Sequence, residues 1–230
     1  MLKFFEPSFH IIYLSSIFYM SFKMFFRSED NKLLKLFGIM GLILGFGDSF
    51  HLIPRIYALL TNGLEANAVA LGIGKMITSI TMTIFYLILF RIWKLRFDIK
   101  NNRSINLFIG LLVLVRIVLI VMPQNRWTLY NPPTSWGIYR NIPFVILGAL
   151  ITYLILNSAI KEGDVQFKRI GFSIIMSFVC YIPVVLFANT FPLVGMMMIP
   201  KTIAYLWIVY IGYNNLKKKQ YKNIVYNEKI

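Results

Sequence analysis

Five cationic side chains interrupt the apolar segments of this chain, and their chemistry suits the binding of anions. They are Arg55, Lys75, Arg116, Arg140 and Lys201. A charge at the centre of a membrane-spanning helix costs at least ~2.5 kcal/mol, so residues of this kind usually have a function. A guanidinium binds a carboxylate or phosphate through parallel N–H donors, and an ammonium binds it as a point charge. The sequence therefore predicts a basic site for a small carboxylate or phosphate.

Further polar residues lie near the five cations in the sequence. Asp48, His51 and Arg55 are spaced i, i+3 and i+7 and share one face of a helix. A segment with Pro132 and Pro133 joins the fourth and fifth spans and is long enough to form a lid over the site. The predicted ligand-binding residues are Asp48, His51, Arg55, Lys75, Arg116, Gln124, Arg126, Tyr139, Arg140, Asn141 and Lys201.

The elements that must position these residues are predicted to be membrane-spanning helices. The chain is 58% hydrophobic and 16% aromatic, and about 20 helical residues cross a hydrocarbon core of ~30 Å. We predict an all-α integral membrane protein with one seven-helix domain over residues 1–214 and a basic cytoplasmic tail over 215–230. The predicted spans are 9–26, 35–60, 69–91, 104–122, 136–158, 169–190 and 194–214.

The distribution of Lys and Arg predicts the orientation of the helices. Basic residues cluster in the connections after the first, third and fifth spans and in the tail, and the opposite connections hold almost none besides Arg126. Basic connections stay in the cytoplasm, which predicts an outside amino terminus, an inside carboxyl terminus and the plasma membrane. The net charge of +15 then reflects topology and contact with anionic membrane lipids, and no nucleic-acid partner is expected.

Counting ~1.5 Å per residue from the cytoplasmic ends places the polar residues at similar depths. Asp48, His51, Lys75, Arg116 and Lys201 come out at about 20–24 Å, and Arg55 and Arg140 near ~30 Å. The inner halves of the helices carry almost no charge. This predicts a basic cavity that opens outward above an apolar plug.

Each of these residues also has a purely structural interpretation. Arg116 and Asp48, at matched depth, are candidates for an ion pair between two helices, and Arg55 and Arg140 are candidates for snorkelling to the membrane surface. Hydroxyls on the third span either line a path inward or, as we favour, bond helix carbonyls. The aromatic residues Trp127, Tyr130, Trp136 and Tyr139 fit an interfacial belt. Cys180 is interpreted as a packing residue.

Short internal matches predict a 3+1+3 parallel repeat over 9–91 and 136–214, joined by a linker helix at 104–122. Lys35–Gly38 matches Lys168–Gly171, the Ile53–Pro54 pair matches Ile182–Pro183, and Gly72–Lys75 matches Met198–Lys201. Under this repeat Lys75 and Lys201 are quasi-symmetric and face a site on the repeat axis. Transporters usually bind substrate at such repeat interfaces.

In this layout the chain resembles the parallel-repeat seven-helix proteins, namely SWEET and PQ-loop transporters, KDEL receptors and, more distantly, opsins. The Pro-Gln pair of the PQ-loop family occurs here only as Pro123–Gln124, after the fourth span. Likeness to the KDEL receptor implies an outward basic pocket that captures an acidic group. Lys201 in the seventh span resembles the retinal-linking lysine of opsins. A retinal site, however, requires an apolar pocket and a carboxylate beside one lysine, and five cations with one Asp fit that requirement poorly.

Three functions follow as alternatives. The first is a transporter for a small organic anion, and the second is an outward-facing receptor or sensor with a signalling partner or a second copy of the chain. The third is an intramembrane enzyme acting on a lipid headgroup or phosphorylated carrier, with Asp48 orienting His51 as a base. No cofactor is expected, and two histidines, His10 and His51, do not make a histidine-rich metal site.

Overall fold

The computed structural model describes residues 2–100, 102–188 and 190–227, and within them it is helical with no β-strand. Seven helices are long and apolar enough to cross a membrane, as predicted. They are α1 (Leu2–Phe26), α2 (Lys32–Leu60), α3 (Ala68–Arg96), α4 (Arg103–Val121), α5 (Thr134–Lys161), α6 (Val165–Phe187) and α7 (Met198–Asn227). Of the predicted tail, residues 228–230 lie outside the described residues.

Most helices extend beyond the apolar stretches that the sequence reveals, because polar caps continue them. Asn31 accepts a hydrogen bond from the Leu34 amide at the start of α2, and Asn102 accepts one from the Ile105 amide at the start of α4. Asp164 caps α6 through the amides of Gln166 and Phe167. Such caps satisfy amides that have no partner within the helix. Three helix ends fall inside the predicted spans, since α4 ends at Val121, α6 ends at Phe187 and α7 begins at Met198.

The helices pack mainly with their neighbours in sequence. Helices α1, α2 and α3 pack in order, and so do α5, α6 and α7. Contacts of α7 with α1 and α2, and of α3 with α5, join these two groups, while α4 packs on α3 and α5. The arrangement leaves α4 at the edge and places both three-helix groups around one interior.

Close approach of α2 and α3 depends on glycines. A side chain at Gly47 would overlap the Thr81 hydroxyl, and one at Gly74 would overlap the Phe50 carbonyl. Pro54, four residues after Phe50, has no amide hydrogen, so that carbonyl lacks its usual helical donor. The Thr78 hydroxyl lies 2.8 Å from the Gly47 carbonyl and 2.9 Å from the Gly74 carbonyl. Small residues that let backbones meet are typical of membrane helix pairs.

The interior is apolar towards the end where α2, α4 and α6 begin. Its centre is a group of aromatic rings in edge-to-face contact, with centroids 5.2 Å apart for Tyr86 and Phe144 and 5.4 Å apart for Phe85 and Tyr205. The Tyr86 and Tyr205 hydroxyls are 3.1 Å apart. Cys180 is buried, as its assignment to packing predicted. This aromatic layer closes the bundle below the site.

Candidate functional site: a cationic cavity

A cavity of about 290 Å³ lies at the end of the bundle where α2, α4 and α6 end and α3, α5 and α7 begin. All five cations singled out in the sequence line this cavity: Arg55, Lys75, Arg116, Arg140 and Lys201. His51 and Asn141 also line it. Ligand pockets in proteins measure roughly 300–1,000 Å³, so the cavity has the size for a small molecule.

The two lysines carry the charge that the protein neutralises least. Lys75 is exposed, and its amino group makes no hydrogen bond or ion pair with any described residue. The Lys201 nitrogen lies 4.8 Å from the centre of the Tyr181 ring and 5.6 Å from that of Tyr205. Such contacts attract a cation but supply no anionic oxygen. Both ammonium groups are therefore available to an anion in the cavity.

Arg116 is built into the wall by neutral groups. It is 2% exposed, and its Nε donates to the Thr83 hydroxyl at 2.7 Å. Its terminal nitrogens donate to the carbonyls of Arg140 at 3.5 Å and Ser79 at 3.4 Å, and its guanidinium lies 3.7 Å from the centre of the Phe144 ring. A guanidinium has five N–H donors, and three of them have these partners. Arg116 thus keeps donors for a ligand.

The ion pair between Arg116 and Asp48, which the sequence offered as an alternative, is wrong. Arg116 bonds α3 and α5, whereas the Asp48 carboxylate accepts a 2.6 Å hydrogen bond from the Tyr13 hydroxyl of α1. Asp48 does not line the cavity. No feature of the sequence pointed to Tyr13 as the hydrogen-bond partner of Asp48.

The predicted pairing of Asp48 with His51 is not formed either. His51 lines the cavity, and its Nδ1 is buried with no hydrogen-bond partner among the described residues. Because Asp48 bonds Tyr13, it does not orient the imidazole. The site therefore lacks the acid–base pair on which the enzyme alternative depended.

Arg55 has a protein counter-ion that the sequence analysis missed. Its Nε donates to the Glu6 carboxylate of α1, and the same carboxylate oxygen lies 3.3 Å from His10 Nε2. The first span was predicted to begin at residue 9, but α1 begins at Leu2 and brings Glu6 to this level. The signal was available, since Glu6 and His10 are one turn apart on one face.

Arg140 is held by the segment that joins α4 to α5. Its Nη1 donates to Asn125 Oδ1 at 2.8 Å, and its guanidinium lies 4.2 Å from the centre of the Trp127 ring. Asn125 in turn donates to the last carbonyls of α4, among them that of Leu119 at 2.6 Å. The Trp127 indole donates to the Ile120 carbonyl at 2.9 Å. The end of α4 and the cavity wall are thus one hydrogen-bonded unit.

The same segment covers part of the cavity, as the lid prediction proposed. Trp127, Leu129, Tyr130 and Pro132 line it. The Trp127 carbonyl lies so close to Gly72 of α3 that a side chain there would overlap it. The lid is therefore seated on the start of α3, next to Lys75.

Besides Asp48, three predicted ligand-binding residues lie outside the cavity. Gln124 and Arg126 are exposed on the joining segment, and Tyr139 is 51% exposed on α5. The sequence placed them close to the site, but helical geometry turns Tyr139 away from Arg140, and the segment points Asn125 and Trp127 inward instead. Asn141 does line the cavity and accepts a 2.9 Å hydrogen bond from Tyr181.

The third-span hydroxyls bond carbonyls of their own helix, as we favoured. Ser79 donates to the Lys75 carbonyl at 2.8 Å, Thr81 to the Thr78 carbonyl at 3.2 Å, and Thr83 to the Ser79 carbonyl at 2.9 Å. Thr83 additionally accepts from Arg116. These contacts stabilise the cavity wall.

Comparison with protein-family models, with curated proteins and with solved structures finds no significant match. The resemblance in layout to parallel-repeat seven-helix proteins stays a prediction. The functional argument depends on the cavity itself.

Proposed function

We propose that the chain is an integral membrane protein whose cationic cavity binds a small anion bearing a carboxylate or phosphate. The observation that carries this proposal is the convergence of five cations from five helices on one cavity of about 290 Å³. Only one of them, Arg55, has a carboxylate at ion-pair distance among the described residues. Like charges gathered around one cavity repel each other, and an anion among them relieves that repulsion. A ligand supplies that missing charge.

The proposed topology is an outside amino terminus, an inside carboxyl terminus and residence in the plasma membrane. It is supported by the position of the cavity at the end opposite the basic connections after α1, α3 and α5. In this orientation the cavity opens outward.

The proposed activity is transport of the anion by alternating access between the two three-helix groups. Several matched features support the repeat. Gly38 of α2 packs on α1 and Gly171 of α6 packs on α5, and α2 and α6 each contain a proline at the cavity level, Pro54 and Pro183. Lys75 and Lys201, the matched residues of the third helices, line the same cavity.

A receptor or sensor of the same anion is the second candidate, and the aromatic layer below the cavity favours it. The rings of Phe85, Tyr86, Phe144 and Tyr205 are buried and in edge-to-face contact with one another. In a transporter this layer must open in another state, whereas in a receptor it stays closed. A receptor would also need a signalling partner or a second copy of the chain.

The first experiment is thermal unfolding of the detergent-purified protein against carboxylates, phosphates, nucleotides and soluble lipid headgroups. A ligand at a hundred times its dissociation constant stabilises the folded state by ~2.7 kcal/mol. A ligand that raises the midpoint of wild type and not of Lys75→Gln supports the cavity. A flat panel, with the lysine variants as stable as wild type, overturns the proposal. Uptake of the identified ligand into proteoliposomes then distinguishes transport from reception.

A further inference from the structure

A second basic site lies at the other end of the bundle, in a groove over α3 between α2 and α4. The groove has a volume of about 960 Å³. Its rim at the end of the bundle away from the cavity is basic and holds Lys32, Lys35, Arg91 and Lys94, with Asp98 as the one acidic residue lining the groove. The cavity and this groove share no residue. The groove is therefore a separate site.

The groove has a polar end and an apolar end along its length. Ile39 lies one turn after Lys35 on α2, and Leu87 lies one turn before Arg91 on α3. Both apolar residues are therefore about 6 Å nearer the middle of the bundle than these cations. Ile109 and Gly110 of α4 form the opposite wall. Cations at the rim and aliphatic side chains nearer the middle of the bundle fit a molecule with an anionic head and a hydrocarbon chain.

The groove also has free space and free charge. A side chain built at Gly110 meets no atom within 4 Å, so the wall of α4 is recessed there. Arg91 is exposed and has no hydrogen bond or ion pair with any described residue. Lys94 donates to Asn106 at 3.3 Å and lies 5.5 Å from the Phe90 ring centre, which fixes its ammonium at the rim.

We infer that this groove binds an anionic glycerophospholipid, with the phosphate at Lys35, Arg91 and Lys94 and one acyl chain along Ile39, Leu87 and Gly110. Basic pockets between membrane helices bind anionic lipid heads in this way. The inference depends on membrane insertion but not on the ligand of the cationic cavity. Charge complementarity selects an anionic lipid over a zwitterionic one, and the apolar wall selects a lipid over a free phosphate ester.

The test measures the thermal midpoint of the detergent-purified chain with dioleoylphosphatidylglycerol, dioleoylphosphatidylcholine or glycerol 1-phosphate. We expect the phosphatidylglycerol shift to exceed the phosphatidylcholine shift. Any shift with glycerol 1-phosphate, which belongs to the class of anion proposed for the cationic cavity, should be unchanged in Lys35→Gln/Arg91→Gln. The double variant Lys35→Gln/Arg91→Gln should lose at least half of the excess. The control Lys161→Gln/Arg169→Gln removes two cations at the same end outside the groove and should keep it.

A second variant keeps the rim charges and fills the groove. Gly110→Phe occupies the recess in α4, and we expect it to abolish the phosphatidylglycerol excess. Equal shifts with both lipids, equal losses in the double variant and its control, or a glycerol 1-phosphate shift that the double variant loses would each overturn the inference. Lys75→Gln, at the opposite end, should retain the full lipid excess, so failure of the cavity proposal is distinguishable from failure of this one.

Discussion

The Tyr13 hydroxyl donates a 2.6 Å hydrogen bond to the Asp48 carboxylate, joining α1 to α2 immediately behind the cationic cavity. Tyr13 is 2% exposed, so the bond lies in the interior. A hydrogen bond to a charged group contributes about 1.5–3 kcal/mol. Asp48 is therefore a structural residue of the α1–α2 contact.

Two double-mutant cycles that share Asp48 should distinguish its hydrogen-bond partner Tyr13 from Arg116, which matches Asp48 only in depth. Tyr13→Phe and Asp48→Asn should be coupled by more than about 0.5 kcal/mol in unfolding free energy, because the residues are in direct contact. Asp48→Asn and Arg116→Gln should be additive within about 0.5 kcal/mol, since they share no hydrogen bond. Denaturant unfolding in detergent gives both numbers. Recovery of stability in the Asp48→Asn/Arg116→Gln variant would restore the rejected ion pair.

Removing either lysine ammonium should weaken anion binding without unfolding the protein. Lys75→Gln and Lys201→Gln each delete a charge-assisted contact, which corresponds to roughly a 10- to 100-fold loss of affinity. Isothermal titration with the anion from the thermal panel measures it. Arg126→Gln is the matched control, because Arg126 is a cation at the same end but outside the cavity. If the control loses as much affinity as the lysine variants, the effect is one of overall charge.

Crowding the seat of the lid should destabilise it. In Gly72→Ala the added methyl overlaps the Trp127 carbonyl, so the joining segment must shift, at about 1–3 kcal/mol. We expect a lower thermal midpoint and weaker anion binding. The control Gly195→Ala places the same methyl in open space and should leave both unchanged. A Gly72→Ala protein with wild-type midpoint and affinity would mean that the lid does not depend on this contact.

The ion pair between Arg96 and Asp164 joins the end of α3 to the start of α6, opposite the cavity. The Arg96 Nε and Nη2 lie 2.9 and 2.8 Å from Asp164 Oδ2. Asp164→Asn removes the charge and keeps an acceptor for the α6 cap. Since exposed pairs contribute ~0.2–1 kcal/mol, we expect anion flux in proteoliposomes to rise roughly 1.4- to fivefold if the pair holds the inner side closed.

Two measurements complete the test of the Arg96–Asp164 pair. Anion affinity at the cavity should be unchanged, and Glu162→Gln, two residues away and exposed, should leave flux at the wild-type value. A lower thermal midpoint with unaltered flux would assign the pair a structural role only.

The topology can be tested with single cysteines in a Cys180→Ala background, since Cys180 is the one cysteine of the chain. Glu65→Cys lies between α2 and α3 and Glu162→Cys between α5 and α6, and both positions are exposed. On intact cells a membrane-impermeant maleimide should label the first and not the second. The reverse pattern would invert the proposed orientation and make the cavity face the cytoplasm.

Hydropathy and spacing were enough to predict seven helices and the convergence of the five cations. Both follow from the chain alone, because helical rise converts sequence distance into depth. The partners of the polar residues were not predictable in the same way. Glu6 and Tyr13 become partners of Arg55 and Asp48 only through the packing of α1 on α2. Depth alone does not determine which faces of two helices meet, and it therefore suggested the wrong ion pair.

The joining segment shows the same limit at close range. Asn125 and Trp127 hold Arg140, while their neighbours Gln124 and Arg126 are exposed. Alternation within such a turn depends on local backbone angles, and Arg126 adopts a left-handed conformation at φ 46°. Composition could locate the segment at the site but could not say which of its side chains point inward.

The Phe50 carbonyl that Pro54 deprives of its helical donor rests against Gly74, and Thr78 links the carbonyls of both helices. A proline usually marks a place where a helix bends easily. Here the Phe50 carbonyl packs directly on α3 at Gly74, so we expect α2 and α3 to move as one rigid unit. In the proposed transport cycle, we expect the α2–α3 unit to stay intact and to slide or tilt against α7 and α5.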